Sequence, residues 1–217
     1  EDDGSCAYEG DCAGECGGSA EQDECGVCNG DGSTCLDIEC DSAVCMNITN
    51  VNIDAGTLDI YMTNQAGCSY CDDPLYNTQT LCESVGNGGD GVWKFDANMD
   101  EATCESSATN GDYFDGEVGG FQFALTGINV TDATVPDGFI VSTGNTEGSP
   151  NIIAFSLSGA TIPAGEGVLM QVSFTDFEGA GICFGPSTCG PNFNLVCNVI
   201  ADVDAESVPA DWGECAC

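Results

Sequence analysis

The chain has 217 residues, with 17 cysteines, 37 Asp and Glu, a single basic residue, Lys94, no histidine and a formal net charge of −36. Without histidine, Ser-His-Asp and Cys-His catalysis are excluded within this chain, and carboxylates around the thiols oppose the low pKa that a thiolate nucleophile needs. The cysteines therefore read as disulfides of an extracellular or cell-surface protein; the polyanion repels nucleic acid and acidic lipid, and no apolar run is long enough to form a membrane span.

Residues 1–45 form an acidic, disulfide-rich N-terminal arm that begins Glu1-Asp2-Asp3-Gly4, a start that reads as a processed end or a fragment. The arm holds Cys6, Cys12, Cys16, Cys25, Cys28, Cys35, Cys40 and Cys45 and almost no large apolar side chains. Such a segment builds no hydrophobic core, so covalent staples must hold it as a thin, loop-like extension. Residues 46–217 read differently, as a β-sandwich domain. Leu58, Ile60 and Met62 take every second position and so share one strand face, as do Phe121, Phe123 and Leu125, then Ile153, Phe155 and Leu157, then Val168, Met170, Val172 and Phe174, then Phe193, Leu195, Cys197 and Val199. Period-two alternation marks half-buried strands. Turn signals separate these runs at Asp54-Ala55-Gly56, Pro136-Asp137-Gly138, Gly148-Ser149-Pro150 and Pro163-Ala164-Gly165. The fold class is mainly β: a jelly-roll or immunoglobulin-like two-sheet sandwich of about eight or nine strands.

Residues 64–118 interrupt this pattern as an insertion with Cys68, Cys71, Cys82 and Cys104. Gln79-Thr80-Leu81-Cys82-Glu83-Ser84 parallels Glu101-Ala102-Thr103-Cys104-Glu105-Ser106. Each copy predicts a short helical turn pinned by a disulfide and capped by an aromatic, Trp93 or Tyr113. Residues 183–217 carry Cys183, Cys189, Cys197, Cys215 and Cys217 and are expected to stitch the C-terminus to the sandwich.

Asp23-Glu24-Cys25-Gly26-Val27-Cys28-Asn29-Gly30-Asp31-Gly32-Ser33-Thr34-Cys35 resembles the Cys-Gly-Val-Cys-x-Gly-Asp repeats of large extracellular proteins from aquatic and slime-forming microbes, and a string in secreted metalloproteases. The resemblance implies secretion and disulfides; protease zinc ligation needs histidine. Gly120-Phe121-Gln122-Phe123-Ala124-Leu125, Ile153-Ala154-Phe155-Ser156 and Gly167-Val168-Leu169-Met170-Gln171-Val172-Ser173-Phe174 resemble cohesin-type sandwiches, nine-stranded jelly rolls that serve as docking and surface modules. The 64–118 insertion lies outside that pattern.

The remaining motifs divide between chemistry and plain surface. Cys25-x-x-Cys28 and Cys68-x-x-Cys71 have the spacing of redox or zinc pairs, yet the composition favours disulfides. Asp96, Asn98 and Asp100 have the i, i+2, i+4 oxygen spacing that opens calcium loops, with Glu101 and Ser107 where an EF-hand has Gly and Glu. Structural calcium there competes with solvated carboxylates, as it does at Asp112/Asp115/Glu117 and Asp202/Asp204/Glu206. A glycosidase needs two carboxylates at a set separation, and surface charge is the stronger reading of these acids. Asn47-Ile48-Thr49 and Asn129-Val130-Thr131 are sequons for N-linked glycans. Trp93 and Trp212 are expected to cover disulfides.

The sequence thus points to a non-enzymatic extracellular structural subunit of a fibre, surface layer or appendage. It assembles head-to-tail into a homopolymer through the N-terminal arm. No cofactor is required. The alternative is an adhesin or carbohydrate-binding module of a larger surface protein, with glycans as partners.

Overall fold

Alternation of apolar and polar residues produces short strands that recur along the described chain. The computed structural model describes residues 40–144, 152–177, 179, 181–185 and 198–216, all within one compact unit, Cys40–Cys217. In chain order the strands are β1 (Val44–Asn52), β2 (Thr57–Asn64), β3 (Gly67–Cys71), β4 (Trp93–Asp96), β5 (Asp112–Phe114), β6 (Gly120–Phe123), β7 (Leu125–Thr126) and β8 (Asn129–Ala133). They continue with β9 (Ile140–Thr143), β10 (Ile152–Phe155), β11 (Gly165–Thr175), β12 (Cys183–Phe184), β13 (Val199–Ala201), β14 (Ser207–Val208) and β15 (Ala210–Trp212). Two helices, α1 (Gln79–Val85) and α2 (Glu101–Cys104), fall between β3 and β5.

Two five-stranded sheets make the sandwich. The front sheet runs β15-β1-β2-β11-β8 and the back sheet β14-β13-β6-β10-β9. Every pairing is antiparallel except that of β15 with β1, where the last strand runs parallel to the first and places Trp212 beside Met46. The front sheet contributes Met46, Leu58, Ile60, Met62, Met170, Val172 and Phe174 to the core, and the back sheet contributes Phe121, Phe123, Ile152, Ala154 and Ile200. Burying each of the larger of these side chains is worth about 1.5–3 kcal/mol. The architecture is the mainly β two-sheet sandwich expected from the alternation, with ten strands in the two main sheets where about eight or nine were predicted.

The details depart from the simple pattern in two places. In β11 the register jumps from Val168 opposite Tyr61 to Met170 opposite Ile60, which leaves Leu169 as an extra residue. This β-bulge reverses the alternation. Leu169 and Met170 are both buried, while Val168, expected to share a face with Met170, is 57% exposed. In β10 the buried residues are Ile152 and Ala154, so Ile153 and Phe155 stand on the outer face. Leu157, beyond the strand's end, is also exposed. Leu125 leaves the β6 run at Ala124 and pairs instead with Phe184 of β12. Of the predicted late strand, Phe193, Leu195 and Cys197 lie outside the described residues; Val199 opens β13.

The insertion contains a three-stranded sheet, β4-β3-β5, which the repeat pattern alone does not reveal, together with the two expected helical turns. Helix α1 has seven residues and no side-chain cap, too short to persist unaided; the Cys71–Cys82 disulfide ties it to β3. Helix α2 is tied to the same strand by Cys68–Cys104. Gly111 passes so close to that disulfide that a Cβ would lie 2.6 Å from Cys68 Sγ and 2.9 Å from Cys104 Sγ. Trp93 and Tyr113 sit in β4 and β5, in register with Cys71 and Cys68 respectively. Trp212 packs against aromatic rings, Phe184 at 5.2 Å and Phe123 at 6.0 Å. At the C-terminus, Cys183–Cys215 and a bridge between Ile182 and Ala216 close the chain onto the sandwich.

At the N-terminal side the fold reaches back before β1. Gln65 holds residues 40–43: its backbone N–H donates to Ala43 O at 3.0 Å and its Nε2 to Cys40 O at 3.2 Å. Cys40 is also joined to Cys45 within β1.

Candidate functional site

The outer faces of the two sheets differ in charge. The front sheet carries Asp59, Asp132, Glu166 and Asp211 among its exposed or half-buried positions. Asp59 organises part of it, accepting from Asn50 Nδ2 at 2.9 Å and from Gln171 Nε2 at 3.3 Å. Tyr61 lies in the same sheet, and partial burial followed by the nearby Glu166 carboxylate pushes its phenol pKa up.

On the back sheet, strand register lines up two outward rows. One runs Ile140, Phe155, Gly120, Ala201 and Ser207; the other runs Ser142, Ile153, Gln122 and Val199. Neither row contains a charged side chain, in a chain where one residue in six is acidic. Ile140 is 48% exposed and Phe155 42%. An exposed apolar surface framed by polar residues marks an interaction site more often than a plain surface. Beside Phe155, Gly119, Gly120, Gly159, Ala160 and Val203 line a shallow recess of about 280 Å³. Its floor is low because positions 119, 120 and 159 lack side chains.

Acidic residues border one end of this recess. Asp202 lines it and also a neighbouring recess with Asp112 and Glu206. Asp202 Oδ1 accepts from the Asp204 and Glu206 N–H groups at 2.9 and 2.8 Å, which folds the β13–β14 connection tightly. Asp112 arrives from β5, and its carboxyl pKa is raised by desolvation first and then by the charges of Glu206, Asp202 and Glu105. The residue as a whole is exposed, but its carboxyl shares the recess with the other two acids. That recess measures about 10 Å³, room for a single water. A raised carboxyl pKa means that Asp112 favours the fold below its unfolded value of about 4 and loses that contribution as pH rises through the folded value. Asp112→Asn is therefore expected to melt higher than the parent at pH 7, by about 0.5 kcal/mol as is usual for an exposed position. The advantage should shrink by pH 4. Thermal melts at the two pH values check this, and a lower melting point for the variant at pH 7 would contradict it.

The calcium-like triplet has local work to do. Asp96 Oδ1 accepts the Asn98 N–H at 2.9 Å, and Asp100 Oδ1 accepts the Thr103 N–H at 2.9 Å as the N-cap of α2. That hydrogen bond holds the Asp100 carboxyl below its ordinary pKa. Asp115 likewise accepts the Glu117 N–H at 2.8 Å. Cys68 and Cys71 point to different disulfide partners and form no joint metal pair.

Among the described residues, four disulfides take eight of the chain's seventeen cysteines. Cys6, Cys12, Cys16, Cys25, Cys28, Cys35, Cys189, Cys197 and Cys217 lie outside the described residues. Their number is odd, so at least one thiol is free, modified or bonded to another molecule. Thiol titration of denatured, unreduced protein is expected to find no more than three free groups. Six or more would contradict an oxidised scaffold.

The uncharged back face was missed by sequence reasoning. Ile152-Ile153-Ala154-Phe155 is apolar at every position, so alternation could not say which pair faces in. No family model and no curated protein sequence matches the chain. Among solved structures it is similar to the crystal structure of a CaDoc0917–CaCohA2 complex at pH 5.5, at 12% identity over 77% of this chain and 93% of that one, with a TM-score of 0.34. It is also similar to the solution structure of CaCohA2 from Clostridium acetobutylicum, at 12% identity over 81% of this chain and 89% of that one, with a TM-score of 0.29. Scores of this size carry no inference about partners.

Proposed function

We propose that the protein is a non-enzymatic extracellular structural subunit of a fibre, surface layer or appendage, joined head-to-tail to further copies of itself. The observation that carries this reading is the uncharged outer face of the back sheet, around Ile140, Phe155 and Gly120. Copies of charge −36 repel one another, and monovalent salt screens that repulsion only beyond about 8 Å. Contact with an acidic arm is least costly on a surface that brings no carboxylate of its own, and the back face meets that condition. The N-terminal arm is the segment that reaches the next copy, since it has no core of its own to complete.

Electron microscopy of the native material and of a truncated chain tests the reading. The deletion should end at Glu39, because Cys40 is disulfide-bonded to β1 and residues 40–43 are hydrogen-bonded to Gln65. The expected result is filaments or sheets from the full chain and a folded monomer from the truncated one. Unchanged polymer length after deletion removes the arm from the contact.

A second reading, a carbohydrate-binding module, is favoured by a larger cleft of about 680 Å³ between α1 and the β13–β15 region, lined by Gln79, Thr80, Glu83, Ser207 and Trp212. Amide, hydroxyl and carboxylate groups beside an indole suit a neutral sugar. A full-length protein that stays monomeric and binds a defined glycan supports this reading over the first.

A further inference from the structure

The fold treats the two sequons differently. Asn129 opens β8 opposite Thr175 of β11, at the edge of the front sheet. Asn129 and Thr131 are both exposed, whereas Val130 between them is buried in the core. The pleat therefore presents the acceptor amide and the sequon hydroxyl residue to solvent together. Asn129 Nδ2 donates to Asp176 Oδ2 at 2.8 Å, and Thr175 Oγ1 donates to the same oxygen at 3.1 Å. Asn47 lies in β1, which is paired on both sides, with β15 and with β2. Asn47 and Thr49 are half-buried. Asn47 Oδ1 is packed against Gly213, where the chain after β15 continues alongside β1 and the Gly213 N–H donates to Met46 O at 2.8 Å. A Cβ at position 213 would collide with that side chain.

We propose that Asn129, and not Asn47, carries the N-linked glycan of this domain. The sugar comes from a lipid-diphosphate-linked oligosaccharide. A bond forms between Asn129 Nδ2 and the anomeric carbon, and the bond from that carbon to the diphosphate oxygen breaks. The electron pair leaves with the lipid diphosphate, and Nδ2 gives up one proton. The second Nδ2 hydrogen remains, so the modified amide keeps its bond to Asp176, which holds the first sugar clear of the sheet. The glycan then stands on the charged front face and leaves the uncharged back face bare. This assignment stands on the exposure and packing of the two asparagines and does not depend on the assembly proposed above.

Peptide mapping of the native full chain tests it. Treatment with a glycan-releasing amidase in ¹⁸O-water converts an occupied asparagine to labelled aspartate. Position 129 is expected to convert in full and position 47 to remain asparagine; an unconverted Asn129 or a labelled position 47 overturns the proposal. Secretion of variants from a eukaryotic host gives a second readout. Thr131→Ala should abolish the glycan-dependent mobility shift, Thr131→Ser should restore it, and Thr49→Ala should leave it unchanged. A shift that survives Thr131→Ala, or is lost in Thr49→Ala, also overturns it.

Discussion

Phe155→Asp disperses the assembled protein, raising the concentration needed for assembly by at least about 3- to 10-fold. Phe155 is 42% exposed and contributes nothing to the buried core, so the fold should tolerate the change. In an assembly through the back face the exposed part of the ring becomes buried, and losing that burial removes about 0.6–1.3 kcal/mol per contact, where 1.4 kcal/mol is tenfold in affinity. The new carboxylate adds to the loss, because Ile140 opposite it and Gly120 on its other side supply no cation. Val168→Asp on the front face is the control, since Val168 is 57% exposed and lies opposite Tyr61, not a carboxylate. Sedimentation at matched concentrations distinguishes the two variants. Equal assembly of Phe155→Asp and parent would rule out the back face as the contact.

Removing the Cys68–Cys104 disulfide by a double alanine substitution should open the insertion while the sandwich stays folded. The bond closes a sequence separation of 36 residues, and the chain-entropy relation assigns such a loop about 4 kcal/mol. Little else compensates: α2 is four residues long and β5 three, and of the insertion's strands and helices Phe114 is the one residue buried in the main core. Amide exchange across residues 67–114 is expected to accelerate about a thousandfold, the equivalent of that free energy when exchange follows local opening. The Cys71–Cys82 bond closes a separation of 11, worth about 3 kcal/mol by the same relation, and its removal should affect mainly α1 at about a hundredfold. Unchanged exchange in the first variant would mean that packing, not the disulfide, holds the insertion.

Legibility in the sequence followed the range of the interactions. The β1–β2 turn was readable because Asp54-Ala55-Gly56 forms it locally, with Asn52 Oδ1 accepting the Ala55 N–H at 2.9 Å. Leu58, Ile60 and Met62 were readable because polar neighbours mark the outward side. The helical turns at Cys82 and Cys104 were readable from their repeat. Val168 was misplaced because a bulge depends on the partner strand, and Phe155 because its strand is apolar on both sides.

The sequence by itself determined the chemical class of this protein: a disulfide-stapled polyanion built of strands, with no histidine for acid–base work. These are properties of composition and of period-two patterning, and they need no knowledge of which residues meet. The tertiary structure alone decided how the eight described cysteines pair, which face of β10 points outward, and that Asp112 shares a recess with Asp202 and Glu206 some 90 residues along the chain. It also separated Asn129 from Asn47, two identical signals in sequence, by placing one at a sheet edge and the other under Gly213. The physical reason is common to all of these. Each depends on strand register between distant segments, and register is set by the packing of the whole core, not by the local string of residues.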